Sequence, residues 1–152
     1  MGLDMWLNRN GKECHYWRKA NAIHNFFVEN VQDGEDDCGT YYVSKVVIED
    51  LAERCDLVLQ LLDRCPKKEV QYVRGYQRNE NGESVEIYNT ATVYDVGDEI
   101  HNLLPTVSGF FFGSTEYDEW YRNDILETKA ICDKLLIEMD WDNEELTYAS
   151  SW

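Results

Sequence analysis

The chain has 152 residues, enough for one domain with its own core. Of these 43% are hydrophobic, which excludes a disordered acidic tail. Thirty acidic residues against fourteen basic ones give a formal charge of −16, a surface that repels DNA, RNA and anionic membranes and attracts basic protein grooves.

Leu3 to Leu7 alternate weakly and suit a first strand, followed by a turn at Asn10-Gly11. Trp17, Ala20, His24, Phe27 and Val31 recur at three- and four-residue spacing, which predicts a helix from Trp17 to Val31. Gly34, in an acid-rich loop, stops it. Thr40 to Val43 is a short β-prone run, and Ser44 sits where an N-cap belongs. Ile48, Leu51, Ala52, Cys55, Leu59 and Leu62 form the cleanest amphipathic stripe in the chain. Pro66 ends that helix, because proline lacks an N–H and disfavours helix at the residue before it.

Glu69 to Gln77 and Glu83 to Tyr88 predict the two arms of a hairpin around Asn81-Gly82. Thr90 to Tyr94 extends the second arm or forms a third strand. Val96 to Leu104 suits a short helix. Val107 to Phe112 is a compact apolar strand candidate. Thr115 with Asp118 resembles a capping box. The helix it would open runs to about Glu138 and buries Tyr121, Ile125, Cys132, Leu135 and Met139. Leu146 to Trp152 suits a terminal strand. The expected fold is a single α+β domain, residues 1–152, with three main helices beside a small antiparallel sheet and one hairpin.

No apolar run reaches the roughly 20 residues that span a bilayer. The start MGLDMWLNRN lacks the apolar core of a secretory signal, so a soluble cytoplasmic protein is expected. The five cysteines show no redox or zinc spacing, and reduced, mostly buried thiols are expected. His15, His24 and His101 likewise show no zinc pattern, and Asp33 to Asp37 lack the EF-hand order. No metal, cofactor or catalytic residue is assigned.

Three segments stand out together: MGLDMWL at the start, YWRKANAIHNFFVENVQDGEDDCG, and PTVSGFFFGSTEYDEWY. They resemble a group of small proteins encoded by bacteriophages and prophages, whose members often begin MGLDMY. The resemblance covers roughly a third of the chain and implies a context, a phage accessory protein acting inside a bacterial host cell. Such proteins often inhibit host defences, and several anti-CRISPR families are also small and acidic. That last step is an analogy of charge and context.

Two sets of residues follow as candidates. Between Glu116 and Glu145 eleven acids face three basic residues, Arg122, Lys129 and Lys134. Glu116, Asp118, Glu119, Asp124 and Glu127, with Asp36 and Asp37, would make an anionic docking face, and Tyr117 and Trp120 its aromatic anchors. The expected partner is a basic, nucleic-acid-dependent host defence protein, with the acids competing for its phosphate channel. Neither nucleic acid nor membrane is expected as a direct partner. The alternative is a small-molecule or nucleotide binder, a sponge or an enzyme. It would use a helical face of Arg18, Asn21, His24 and Asn25 together with Ser114, and it requires those segments to meet around a pocket. The competing view of His24 is a core histidine with one hydrogen bond. A third reading is a virion component or homo-oligomer.

Overall fold

The computed structural model describes residues 2–109 and 112–152. Asn10 and Gly11 both have positive φ (51° and 79°), the backbone of a two-residue hairpin turn. The chain therefore folds straight back, so that β1 (Asp4–Arg9) pairs antiparallel with β2 (Lys12–Arg18). The terminal strand β6 (Leu146–Ser151) takes the other edge of β1, and β3 (Thr40–Tyr42) closes the order β2-β1-β6-β3.

The first helix is shorter than its periodicity implied. Trp17 and Arg18 belong to β2, and α1 spans Asn21–Val31. Trp17 is buried all the same, because the inward face of β2 and the helix point into one core. Its indole Nε1 donates to Thr128 Oγ1 at 2.9 Å.

The second helix, α2 (Lys45–Arg64), matches its stripe. The Ser44 hydroxyl accepts from the Val47 amide, and Ile48, Leu51, Ala52, Cys55 and Leu62 are buried, while Leu59 is only part-buried and Val58 takes the core position beside it. It packs along α4 (Glu119–Glu138), whose buried face includes Tyr121, Ile125, Cys132 and Leu135. The N-cap of α4 is Asp118 rather than Thr115: Asp118 Oδ1 accepts from the Tyr121 amide at 3.0 Å. A carboxylate there also suits the positive end of the helix dipole. Between them lies the one-and-a-half-turn α3 (Asp98–Leu103).

The expected strand at Val107 to Phe112 does not form in the described part. Residues 107–109 and 112 are irregular, while Phe110 and Phe111 lie outside the described residues. What organises this stretch is the Asn21 side chain. Its amide nitrogen donates to the carbonyls of Phe112 and Ser114, and its oxygen accepts from the Val107 amide. A loop pinned by side-chain bonds has no need of a strand partner.

The architecture is α+β, with four helices and two antiparallel sheets among the described residues. The second sheet is a ribbon of two long strands, β4 (Lys67–Arg78) and β5 (Ser84–Tyr94). Thr90 to Tyr94 thus extends the second arm. The ribbon meets the body at its base, where the Tyr94 amide donates to the Tyr117 carbonyl at 2.7 Å and Val93 bridges to Asp118. Towards its tip, apolar side chains face solvent; Tyr76 is 69% exposed. No described helix is long and apolar enough to cross a membrane.

Candidate functional site

A concavity lies where β2 ends, α1 and α4 begin and the ribbon joins the body. A cavity of about 270 Å³ is lined by Arg18, Lys19, Ser114, Glu116, Trp120 and Asp124, with Asn21 and Asp118 in its wall. A second hollow of about 510 Å³ shares Ser114, Glu116, Asp118 and Trp120 and runs along the ribbon face of Lys68, Val70 and Tyr72. The Trp120 ring stands between them, edge-on to Tyr72 at 5.2 Å. Together they form one cleft with an acidic end and an apolar, ribbon-lined end.

Local chemistry explains each wall. Lys19 has a φ of 57°, an unfavourable conformation for a residue with a long side chain, held by its amide's bond to the Leu3 carbonyl at 2.7 Å. That kink turns the chain from strand into helix and brings Lys19 to the rim. Gly113, with φ of 88°, allows the opposite loop to pass close to Lys19; a Cβ there would meet Lys19 Cβ at 3.0 Å. The Ser114 hydroxyl accepts from the Glu116 amide at 3.0 Å, shaping the approach to α4.

The carboxylates are not equivalent. Glu116 is exposed. Asp118 is buried, and its oxygen is committed to capping α4, so it acts through its charge rather than by direct contact. Burial pushes the Asp118 pKa up, while the amide bond from Tyr121 opposes the shift. Asp124 lies one and a half turns further along α4, half-buried, with no cation at ion-pair distance among the described residues. Its pKa is raised to about 7, first by burial and then by the charges of Glu127 and Asp118. Arg18 is held by Asp4 at 2.8 Å. The lining sets three acids, Glu116, Asp118 and Asp124, against two cations, Arg18 and Lys19, and a cation or strong hydrogen-bond donor beside Asp124 would favour its charged form.

The candidate residues divide accordingly. Glu116, Asp118, Asp124 and Trp120 of the docking set gather at the cleft. Glu119 and Glu127 lie on α4 outside its lining. Tyr117 is half-buried; its hydroxyl accepts from the Thr106 amide, and its ring packs edge-on to Tyr121. Asp37 receives the Tyr41 hydroxyl at 2.5 Å and the Gly39 amide, shaping a turn. Asp36 receives the Trp152 indole at 2.9 Å and lies 3.0 Å from His24 Nε2.

The ligand set divides too, because Arg18 is on a strand and not on a shared helical face. Arg18, Asn21 and Ser114 do meet around the cavity, as that reading required, although Asn21 is spent on pinning the loop. His24 is 1% exposed, its Nδ1 2.6 Å from the Tyr148 hydroxyl, with Phe112 edge-on to its ring. It is a core histidine. Asn25 faces a different, smaller hollow beside Arg54 and Asn102.

Sequence reasoning missed Lys19, Tyr72 and the ribbon face as parts of the site. Strand alternation could have placed Lys68, Val70 and Tyr72 on one face, but not against α4. The five cysteines are free thiols, with Cys55 and Cys132 buried. Among the described residues no group of three or more His, Cys, Asp or Glu side chains is placed to hold a metal ion. Compared with protein-family models, with curated proteins and with solved structures, the chain matches none.

Proposed function

We propose that this protein is a binding protein that captures a basic protein partner, and that the acidic end of the cleft receives a Lys or Arg side chain of that partner. The observation that carries the reading is the gathering of Glu116, Asp118, Asp124 and Trp120 round one cavity, in which no cation among the described residues lies at ion-pair distance from the half-buried Asp124 carboxyl. A guanidinium or ammonium could lie against the Trp120 ring and between the carboxylates of Glu116 and Asp124. The apolar hollow along the ribbon would take the residues that flank it. The overall charge of −16 then speeds encounter, while the cleft supplies specificity. Together with the phage resemblance, this points to a partner among nucleic-acid-dependent host defence proteins, whose basic channels face phosphates.

The test is affinity capture from a bacterial lysate with the wild type and with Glu116→Gln/Asp124→Asn, at low salt and at about 0.5 M salt, where the Debye length falls to a few ångströms. We expect basic nucleic-acid-binding proteins to be enriched, released by salt and weakened about tenfold by the double variant. Capture indifferent to both salt and the variant overturns the reading.

One observation favours a second reading. Arg18 and Ser114 line the same cavity, which suits an anionic group of a small ligand. The acidic end by itself, about 270 Å³, suits a single inserted side chain, whereas a small ligand would extend into the ribbon-lined hollow of about 510 Å³. Native mass spectrometry of the purified protein decides between them, since a co-purifying ligand would favour the second.

A further inference from the structure

The ribbon stands apart from the rest of the molecule in charge and in packing. From Lys67 to Tyr94 four basic residues (Lys67, Lys68, Arg74, Arg78) cancel four acidic ones (Glu69, Glu80, Glu83, Glu86). The whole formal charge of −16 therefore lies outside it. It is also a two-stranded sheet with little support, an arrangement marginally stable in water on its own. Val73, Tyr76, Val85 and Tyr88 are all at least 40% exposed.

Its two edges differ. β4 carries five charged side chains and a bulge between Val73 and Gly75, the devices that keep natural edge strands from pairing. β5, SVEIYNTATVY, has one charged residue, Glu86, no proline and no bulge outside that pairing, and it is rich in β-branched and aromatic side chains. Among the described residues nothing pairs with its outer edge from Ser84 to Thr92; only Val93, at the base, bridges to Asp118.

We propose that two copies of the chain pair antiparallel through the open edges of β5, so that their ribbons join into one four-stranded sheet across a two-fold axis. Antiparallel pairing of identical strands is self-complementary, as a two-fold interface requires. Centred on Ile87, it sets Glu86 opposite Tyr88 of the second copy, and no like charges meet. The geometry also resolves the repulsion between two strongly acidic molecules. Each β5 runs back to its own body at Tyr94, so the bodies leave the joint sheet at opposite ends, about 45 Å apart along the strands. That is several times the Debye length of about 8 Å at physiological salt. The neutral ribbon is a long element at which two such chains can meet without bringing their acidic bodies together.

Sedimentation equilibrium over a concentration series tests this with wild type, Ile87→Lys/Thr90→Lys on the open edge and Arg74→Glu on the guarded one. A small interface of this kind suggests a dissociation constant on the order of 10 μM. Wild type and Arg74→Glu should dimerise, and the lysine variant should remain a monomer while keeping the wild-type circular dichroism. In wild type, amide exchange within residues 84–92 should slow as concentration rises, a readout that needs no variant. A monomer at every concentration, a dimer that survives both lysines, a dimer lost in Arg74→Glu, or exchange independent of concentration would each overturn the proposal.

Discussion

Asp124 is the residue at which burial and charge pull hardest against each other. Its carboxyl, ionised near pH 4 in the unfolded chain, keeps its proton in the folded protein up to about pH 7. Between those values the folded state holds one more proton than the unfolded state. The resulting stability is complete below about pH 4 and is lost as pH rises through about 7. Asp118, also raised, acts in the same direction. Glu144 acts in the opposite one: its bonds from Arg9, one at 2.5 Å, hold its pKa down to about 2, and its contribution is lost as pH falls through that value. Asp124→Asn should therefore raise the free energy of unfolding at pH 7.5 by an amount on the order of 1–2 kcal/mol, once solvent access to the half-buried group is allowed for. It should flatten the decline in stability between pH 5 and 7; denaturant titrations across that range measure both. If the cleft binds a cation, that gain in stability comes with a loss of affinity, because the group that strains the free protein is the one that recognises the partner.

At the scale of elements, the cap of α4 joins fold to site. Asp118 satisfies the Tyr121 amide, bridges to the base of the ribbon through its backbone and stands in the cleft wall. Asp118→Ala should cost about 1 kcal/mol through loss of the cap, a fall of roughly 2–4 °C in the thermal midpoint of a domain this size. Asp118→Ser, which restores a cap without the charge, should recover most of it. The elements most legible in the sequence were those whose signals were local. The stripe of α2, its Ser44 cap and its stop before Pro66 all stand as read, as does the Asn10-Gly11 turn. The start of α1 was not legible. Trp17 falls on the helical period of Ala20, His24 and Phe27, yet a residue of an inward strand face reaches the same core. Only pairing with β1 across the hairpin, which residue spacing within the segment does not report, decides between the two. The loop from Val107 to Ser114 shows the same limit. Its apolar run suggested a strand, but its backbone partners come from the side chain of Asn21, some ninety residues away in sequence.

Over the whole molecule, charge and topology act together. With −16 spread over 152 residues, self-repulsion opposes the compact state, and salt relieves it. Raising ionic strength from about 10 mM to about 150 mM shortens the Debye length from roughly 30 to 8 Å. The thermal midpoint should rise by a few degrees, as calorimetry at fixed pH would show; an unchanged midpoint would mean that the carboxylates are already well dispersed. Composition determined that charge and the presence of a sufficient core, and residue order the mixture of helices and strands, because these depend on residue identities and short-range periodicity. Tertiary structure alone decided which of thirty acids share a cleft, that no described cation reaches Asp124 there, that His24 belongs to the core, and that the neutral hairpin projects from an acidic body. A side chain's protonation and exposure are set by neighbours distant in sequence, and those neighbours are assigned only when the sheets close.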